Sequence, residues 1–129
     1  DAGRAIQPLA EGGHKPALFV ADAGLLTNGV LDAPMGWLQG VYERVRKAVR
    51  MPVFGGDCFA YGTVAAGFAD LVLEAGLKPY DYAPFLPIFE GAGGGITDWK
   101  GRPLDLSSGD RVIAWGDARA HAQALELLA

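Results

Sequence analysis

Cysteine occurs once in the 129 residues, at Cys58, so no internal disulfide can form, and this usage fits a reducing compartment. The two histidines, His14 and His121, share no metal-ligand spacing with each other or with a cysteine, which removes the familiar zinc patterns. No apolar run approaches the ~20 residues that a membrane span needs. The first residues, DAGRAIQPLAEGG, lack the basic-then-apolar design of a secretory signal. The chain opens on Asp1 rather than Met, so residue 1 is not expected to be the start of the translated product. Basic clusters are missing too: eleven Lys and Arg face fifteen Asp and Glu, a formal charge of −4, which disfavours a nucleic-acid partner. Walker A and GxSxG sequences are also absent. The expectation is a soluble, cytoplasmic protein with neither nucleic acid nor membrane as partner.

What is present points to a folded domain. Half the residues are hydrophobic and a fifth are charged, and the length suits one domain, 1–129, with its own core. Residues 1–16 read as an irregular lead-in. Strands are predicted at Ala17–Ala21, Val53–Phe54, Leu71–Glu74, Ile96–Trp99 and Arg111–Trp115. Helices are predicted between them. Trp37, Val41, Val45 and Val49 repeat every four residues, with charges largely on the opposite side, as in an amphipathic surface helix ended by Pro52. Asp57–Phe68 is Ala- and Gly-rich with good helix formers. Asp81 reads as the N-cap of a further helix that holds Pro84 in its first turn, is kinked by Pro87 and ends in the glycines at 91–95. Asp117 caps a last helix running through Leu128. Strand alternating with helix argues α/β, with a mostly parallel mixed sheet flanked by helices.

Three acids stand where elements begin or end: Asp57 behind the pair Gly55–Gly56, Glu74 at a strand end and Asp81 at a helix start. Open α/β sheets present ligand-binding groups at such junctions. Asp57 and Asp81 read equally as helix caps, and Glu74 as a solvated strand end. Their functional readings are a counter-charge for a substrate cation (Asp57), part of a binding pocket (Glu74), and a Mg2+ ligand (Asp81), an ion that takes one or two carboxylates. Gly55 and Gly56 would let the backbone approach a ligand closely. Cys58 reads as a small buried hydrophobe, and Lys78 and His121 read as surface residues.

Two groups of residues carry a resemblance. Tyr80-Asp81-Tyr82-Ala83-Pro84, followed by Glu90-Gly91-Ala92-Gly93-Gly94, is similar to the second metal signature of the inositol monophosphatase-type phosphatases. Ile96-Thr97-Asp98-Trp99, Gly101-Arg102-Pro103-Leu104 and Val112-Ile113-Ala114 match that family's later segments, so the likeness runs from about Val53 to the end. Gly55-Gly56-Asp57-Cys58-Phe59-Ala60-Tyr61, with Glu74 to Asp81, most resembles the histidinol-phosphate phosphatase branch. The resemblance implies the C-terminal domain of that fold and Mg2+-dependent hydrolysis of a phosphomonoester. Histidinol phosphate is the favoured substrate, in histidine biosynthesis. Asp81 would then be the metal ligand. Glu74 would meet the non-phosphate part of the substrate, and Asp57 its ammonium group. The family's other metal motif, Asp-Pro-(Ile/Leu)-Asp-Gly-Thr, and an upstream Glu are absent. The resemblance therefore covers about half of such an enzyme, whose N-terminal half must come from elsewhere. This half alone is expected to be inactive, and the complete enzyme to be a homodimer. Inositol-phosphate or sugar-phosphate hydrolysis, or a non-catalytic binding or assembly role, are the alternatives.

Overall fold

The computed structural model describes residues 19–21, 35–54 and 56–129, with side chains over 40–51 and 56–129. The lead-in at 1–16, the loop at 24–29, Gly55 and His14 lie outside the described residues. Short β-branched and apolar runs form five strands: β1 (Phe19–Ala21), β2 (Pro52–Phe54), β3 (Leu71–Glu74), β4 (Gly95–Asp98) and β5 (Val112–Trp115). They pair in the order β2-β1-β3-β5-β4. β1 runs parallel to both β2 and β3, while β5 runs antiparallel to β3 and β4, so β5 alone is reversed. This is the predicted mixed, mostly parallel sheet.

The helices are α1 (Met35–Ala48), α2 (Asp57–Ala65), α3 (Pro79–Tyr82), α4 (Phe85–Ala92) and α5 (Ala118–Leu128). Side chains alternate across a strand, and β3 shows the result. Leu71 and Leu73 join Val41 and Val45 of α1, Val49 just beyond its end, and Ala124 of α5 in one core layer. Val72 joins Ala60, Tyr61 and Val64 of α2, Tyr82 of α3 and Phe89 of α4 in the other. The predicted valine stripe of α1 is thus the buried one. The helix leaving β1 and the helix leaving β2 lie on opposite faces, so the topology switches at the carboxyl ends of β1 and β3, where open sheets of this kind bind ligands.

Local chemistry sets the helix ends. α2 stops at Ala65, short of the predicted Phe68, because Gly67 takes φ 81° and the Phe68 and Gly67 N–H groups donate to Thr63 O and Val64 O. α4 ends by the same device at Gly93. The single kinked helix expected from Asp81 to Glu90 is two helices. Pro84 has no N–H to donate and clashes with the preceding turn, so the chain breaks at Ala83–Pro84. Pro84 then caps α4, and Pro87 sits in that helix's first turn, where no kink follows. Among the described residues no helix is long and apolar enough to cross a membrane.

Candidate active site

Ala21 pairs with Phe54 on one side and with Leu73 on the other. Strands are spaced ~4.8 Å apart, so the ends of β2 and β3 are about 10 Å apart across β1. Asp57 follows Phe54 by three residues and Glu74 follows Leu73 by one. Both acids therefore lie at the carboxyl edge of the sheet, on either side of β1.

Glu74 is 1% exposed, so it is not the solvated strand end that its position allowed. The alternation of β3 turns its side chain to the face of Val72, where α2 and α3 pack. Directly across the ladder lies Val112, and beyond it Asp98. A buried carboxylate opposes folding unless polar groups answer it.

Asp57 is exposed and has φ 42°, the one non-glycine residue with positive φ among the described residues. It is the first residue of α2 and not its cap. The cap position is Gly56, at φ 123°, whose carbonyl accepts from Phe59 N and Ala60 N at 2.8 and 3.3 Å. Gly56 is needed there twice over: for its backbone angle, and because a Cβ would stand 3.3 Å from that of Ala60. Left-handed backbone at an Asp costs ~1 kcal/mol or more and persists where the surroundings enforce it. Next to Asp57, Cys58 is exposed, which corrects its expected burial.

Asp81 is half-buried and stands at the third position of α3; the cap is Lys78, which corrects the predicted capping role. Its Oδ2 reaches back to accept the Lys78 N–H at 2.7 Å. The segment around it is pinned at both ends. Leu77 N donates to Asp110 O at 3.1 Å, and the buried Tyr82 hydroxyl donates to Asp105 O at 2.9 Å. Burial, aided by the Asp105 charge, pushes the Tyr82 phenol up from its ordinary value, so the hydroxyl keeps its proton for that bond. A carboxylate offers roughly four lone-pair sites and Lys78 takes one, so Asp81 fits a single metal contact. Among the described residues no group of three or more His, Cys, Asp or Glu could hold a metal ion.

Asp98, which carried no expected role, also lies at this edge, and its carboxylate is committed to the chain itself. Lys100 N and Arg102 N donate to Oδ1 at 2.8 and 2.9 Å, and Arg102 Nε donates to Oδ2 at 2.7 Å. Burial works against its charge, but these donors outweigh it and hold the carboxyl below its ordinary value. Asp98 builds the turn after β4. His121 belongs to a different region, where it stacks on Trp115 and bonds Thr97, contrary to its expected surface position.

Compared with known proteins, the sequence matches the inositol monophosphatase family over residues 24–129. It is 48% identical over 94 residues to the chloroplastic bifunctional phosphatase IMPL2 of Arabidopsis thaliana, covering 67% of this chain and 27% of that protein. Against the histidinol-phosphatase of Chlorobaculum parvum it is 40% identical over 63 residues, covering 49% and 24%. A solved inositol monophosphatase from Zymomonas mobilis superimposes with a TM-score of 0.78 at 36% identity, covering 97% of this chain and 45% of that one. The chain therefore spans less than half the length of each of these relatives.

Proposed function

The chain belongs to the inositol monophosphatase family, and on that premise we propose that it supplies the C-terminal, substrate-side half of a Mg2+-dependent phosphomonoesterase. Histidinol phosphate is the favoured substrate. The observation that carries the reading is the pair of acids flanking the end of β1: Asp57, exposed on a left-handed backbone, and Glu74, fully buried at the strand end. Two carboxylates at one edge of the sheet would suit a cationic substrate. An ammonium group gains a charge-assisted hydrogen bond from them that a neutral polyol does not. The histidinol-phosphatase among the relatives supports that choice.

Asp81 would hold Mg2+ together with ligands from the rest of the enzyme. When bound, the ion would polarise the phosphoryl group and activate water. The chain's own contribution is to orient the substrate. Asp57 holds the ammonium group and Glu74 lines the pocket, while the pinned segment Leu77–Tyr82 fixes Asp81 relative to both. The complete enzyme would work in the cytoplasm as a homodimer, the assembly that the family resemblance implies.

Hydrolysis of an inositol phosphate is the second reading, favoured by the likeness to the Zymomonas enzyme. One experiment tests both. The chain co-expressed with the N-terminal half of a relative is assayed on histidinol phosphate and on inositol monophosphate with and without Mg2+. Faster Mg2+-dependent turnover of histidinol phosphate is expected, and none from the chain alone. Preference for inositol monophosphate overturns the substrate assignment, and robust turnover by the isolated chain overturns the half-site.

A further inference from the structure

β4 and β5 are neighbours and run antiparallel. Two residues can join such a pair, yet residues 99–111 lie between them. Long connections inside a compact fold tend to serve something besides linking strands. This one is held by its own bonds. At its start Lys100 N and Arg102 N donate to the Asp98 carboxylate, and Pro103 bridges back to Thr97. Further on, residues 105–108 close a second turn. Asp105 Oδ1 accepts from Ser107 N at 2.7 Å and from Ser107 Oγ at 2.6 Å. Asp105 N donates to Ser108 Oγ at 2.8 Å, and Ser108 N donates to Asp105 O at 3.1 Å. α3, by contrast, is a helix of four residues with Pro84 just beyond it. So short a helix does not hold itself together. Two anchors bracket it, and both come from the connection. Ahead of α3, Leu77 N donates to Asp110 O, and at its end the Tyr82 hydroxyl donates to Asp105 O at 2.9 Å, with Ser108 O 3.4 Å from the same hydroxyl. The Tyr82 ring is fully buried, and Leu104 of the connection packs against the same core layer.

We propose that the β4–β5 connection is a clamp on α3, and that Tyr82 is the positioning residue through which the 105–108 turn fixes the bearing of Asp81. Asp81 directly precedes Tyr82 on the helix, so the two move together. The bond from Lys78 N to Asp81 Oδ2 sets the carboxylate only relative to α3 itself. The clamp sets α3 relative to the sheet, because the connection is fastened to a strand at each end. A Mg2+ ligand must be held in place by groups beyond the ligand itself, and loss of such support costs metal affinity. The inference rests on the reading of Asp81 as a metal ligand and adds what aims it.

The test measures backbone order in the 129-residue chain by NMR relaxation, then titrates the co-expressed enzyme with Mn2+. In Tyr82→Phe the order parameters of Lys78, Tyr80, Asp81 and Tyr82 should fall from the rigid value of about 0.85 toward about 0.6, while those of β3 and β5 stay as they are. Ser107→Ala loosens the turn without touching the core and should produce a smaller fall at the same amides. The double variant should show no more than Tyr82→Phe alone, since the turn acts through the phenol. In the co-expressed enzyme Tyr82→Phe should raise the Mn2+ concentration for half-occupancy, read by electron paramagnetic resonance, about tenfold. Unchanged order parameters in Tyr82→Phe overturn the clamp even where its urea midpoint drops, since Tyr82 then only stabilises the fold. A further fall in the double variant overturns the route through the phenol. A loosened α3 with unchanged Mn2+ affinity overturns the positioning of Asp81. The expected loosening, with no Mn2+ bound by the enzyme carrying the parent chain, upholds the clamp and overturns the metal site on which the proposed function rests.

Discussion

Trp115 and His121 stack ring on ring, with centroids 3.7 Å apart and planes 10° from parallel. The Thr97 hydroxyl donates to Asp98 O at 2.9 Å, so its lone pair is left to accept from His121 Nε2, 3.0 Å away. This assigns the proton of the neutral ring to Nε2. Burial lowers the His121 pKa below its ordinary value of 6.5. The unfolded chain then binds the proton more readily than the folded one, so the stability from His121 is present above pH ~6.5 and is lost as pH falls through the lower folded value. His121→Phe keeps a stacked ring but removes the titration. Urea midpoints between pH 7.5 and 5.5 should therefore fall less steeply in the variant than in the parent chain.

Gly94 and Gly95 are held beneath the same tryptophan. A Cβ on Gly94 would collide with the Trp115 carbonyl oxygen, and one on Gly95 with the indole itself. Neither obstacle is the free end of a flexible side chain. Gly93 has open space around it and only its φ of 79° to protect. The substitutions should therefore rank by mechanism. Gly93→Ala should cost ~1 kcal/mol, the left-handed penalty. Gly94→Ala and Gly95→Ala should cost ~2–3 kcal/mol through overpacking. Chemical denaturation of the three variants checks the order.

That ranking also shows what the chain disclosed in one dimension and what it withheld. The valine stripe of α1 was legible because its period is a local property of the backbone, and the strands because each is a short apolar run. The glycines at 91–95 were legible as a helix stop. Their contact with Trp115 was not, because the strand pairing Gly95↔Trp115 joins residues far apart in the chain. His121 read as a surface residue for the same reason, since both its partners come from other elements. Cys58 was misplaced because α2 is apolar nearly all round, so its pattern does not say which side faces in. Asp81 looked like a cap because a carboxylate just ahead of an apolar run usually is one. The break at Pro84 moves the cap back to Lys78. The acids at 57, 74 and 81 were legible as a group through their positions at element ends, yet the burial of Glu74 depends on the β5 and α2 neighbours that only the fold supplies.

Asp98 stabilises the turn after β4 through its charge. Its folded pKa is below the ordinary value, so its contribution is present at neutral pH and is lost as pH falls through that lower folded value. Asp98→Asn keeps the shape but weakens the bonds from Lys100, Arg102 and the guanidinium. The variant should be less stable than the parent at pH 7, with the gap closing below pH ~3.9 as the parent carboxyl takes up its proton. Thermal melts across that range measure it.

The backbone at Asp57 permits a clean test of charge. Asn tolerates φ near 42° about as well as Asp does, so Asp57→Asn removes the carboxylate without adding strain. In the co-expressed enzyme, kcat/KM for histidinol phosphate should drop ~10- to 100-fold, the cost of losing one charge-assisted bond. Turnover of inositol monophosphate should hardly change. Equal losses on both substrates would refute the ammonium role. Asp57→Ala would lose activity and ~1 kcal/mol of stability together, because Ala resists the left-handed region.

Glu74 separates stability from function most sharply. At 1% exposure it lies on the face of β3 that also carries Val72, opposite Val112 and in one row with Asp98. Desolvating a carboxylate costs free energy even where polar groups answer it, so a leucine of similar volume should fold about as well or better, by up to ~1–2 kcal/mol. If Glu74 serves the pocket, that gain comes with loss of substrate turnover, the usual trade between a stable site and a working one. Glu74→Leu should therefore raise the melting temperature of the chain while lowering kcat/KM of the co-expressed enzyme at least tenfold, and Glu74→Gln should recover part of the activity by restoring an acceptor oxygen. A leucine variant that melts lower than the parent would mean that the buried acid is a structural keystone, and its assignment to the substrate pocket would fall.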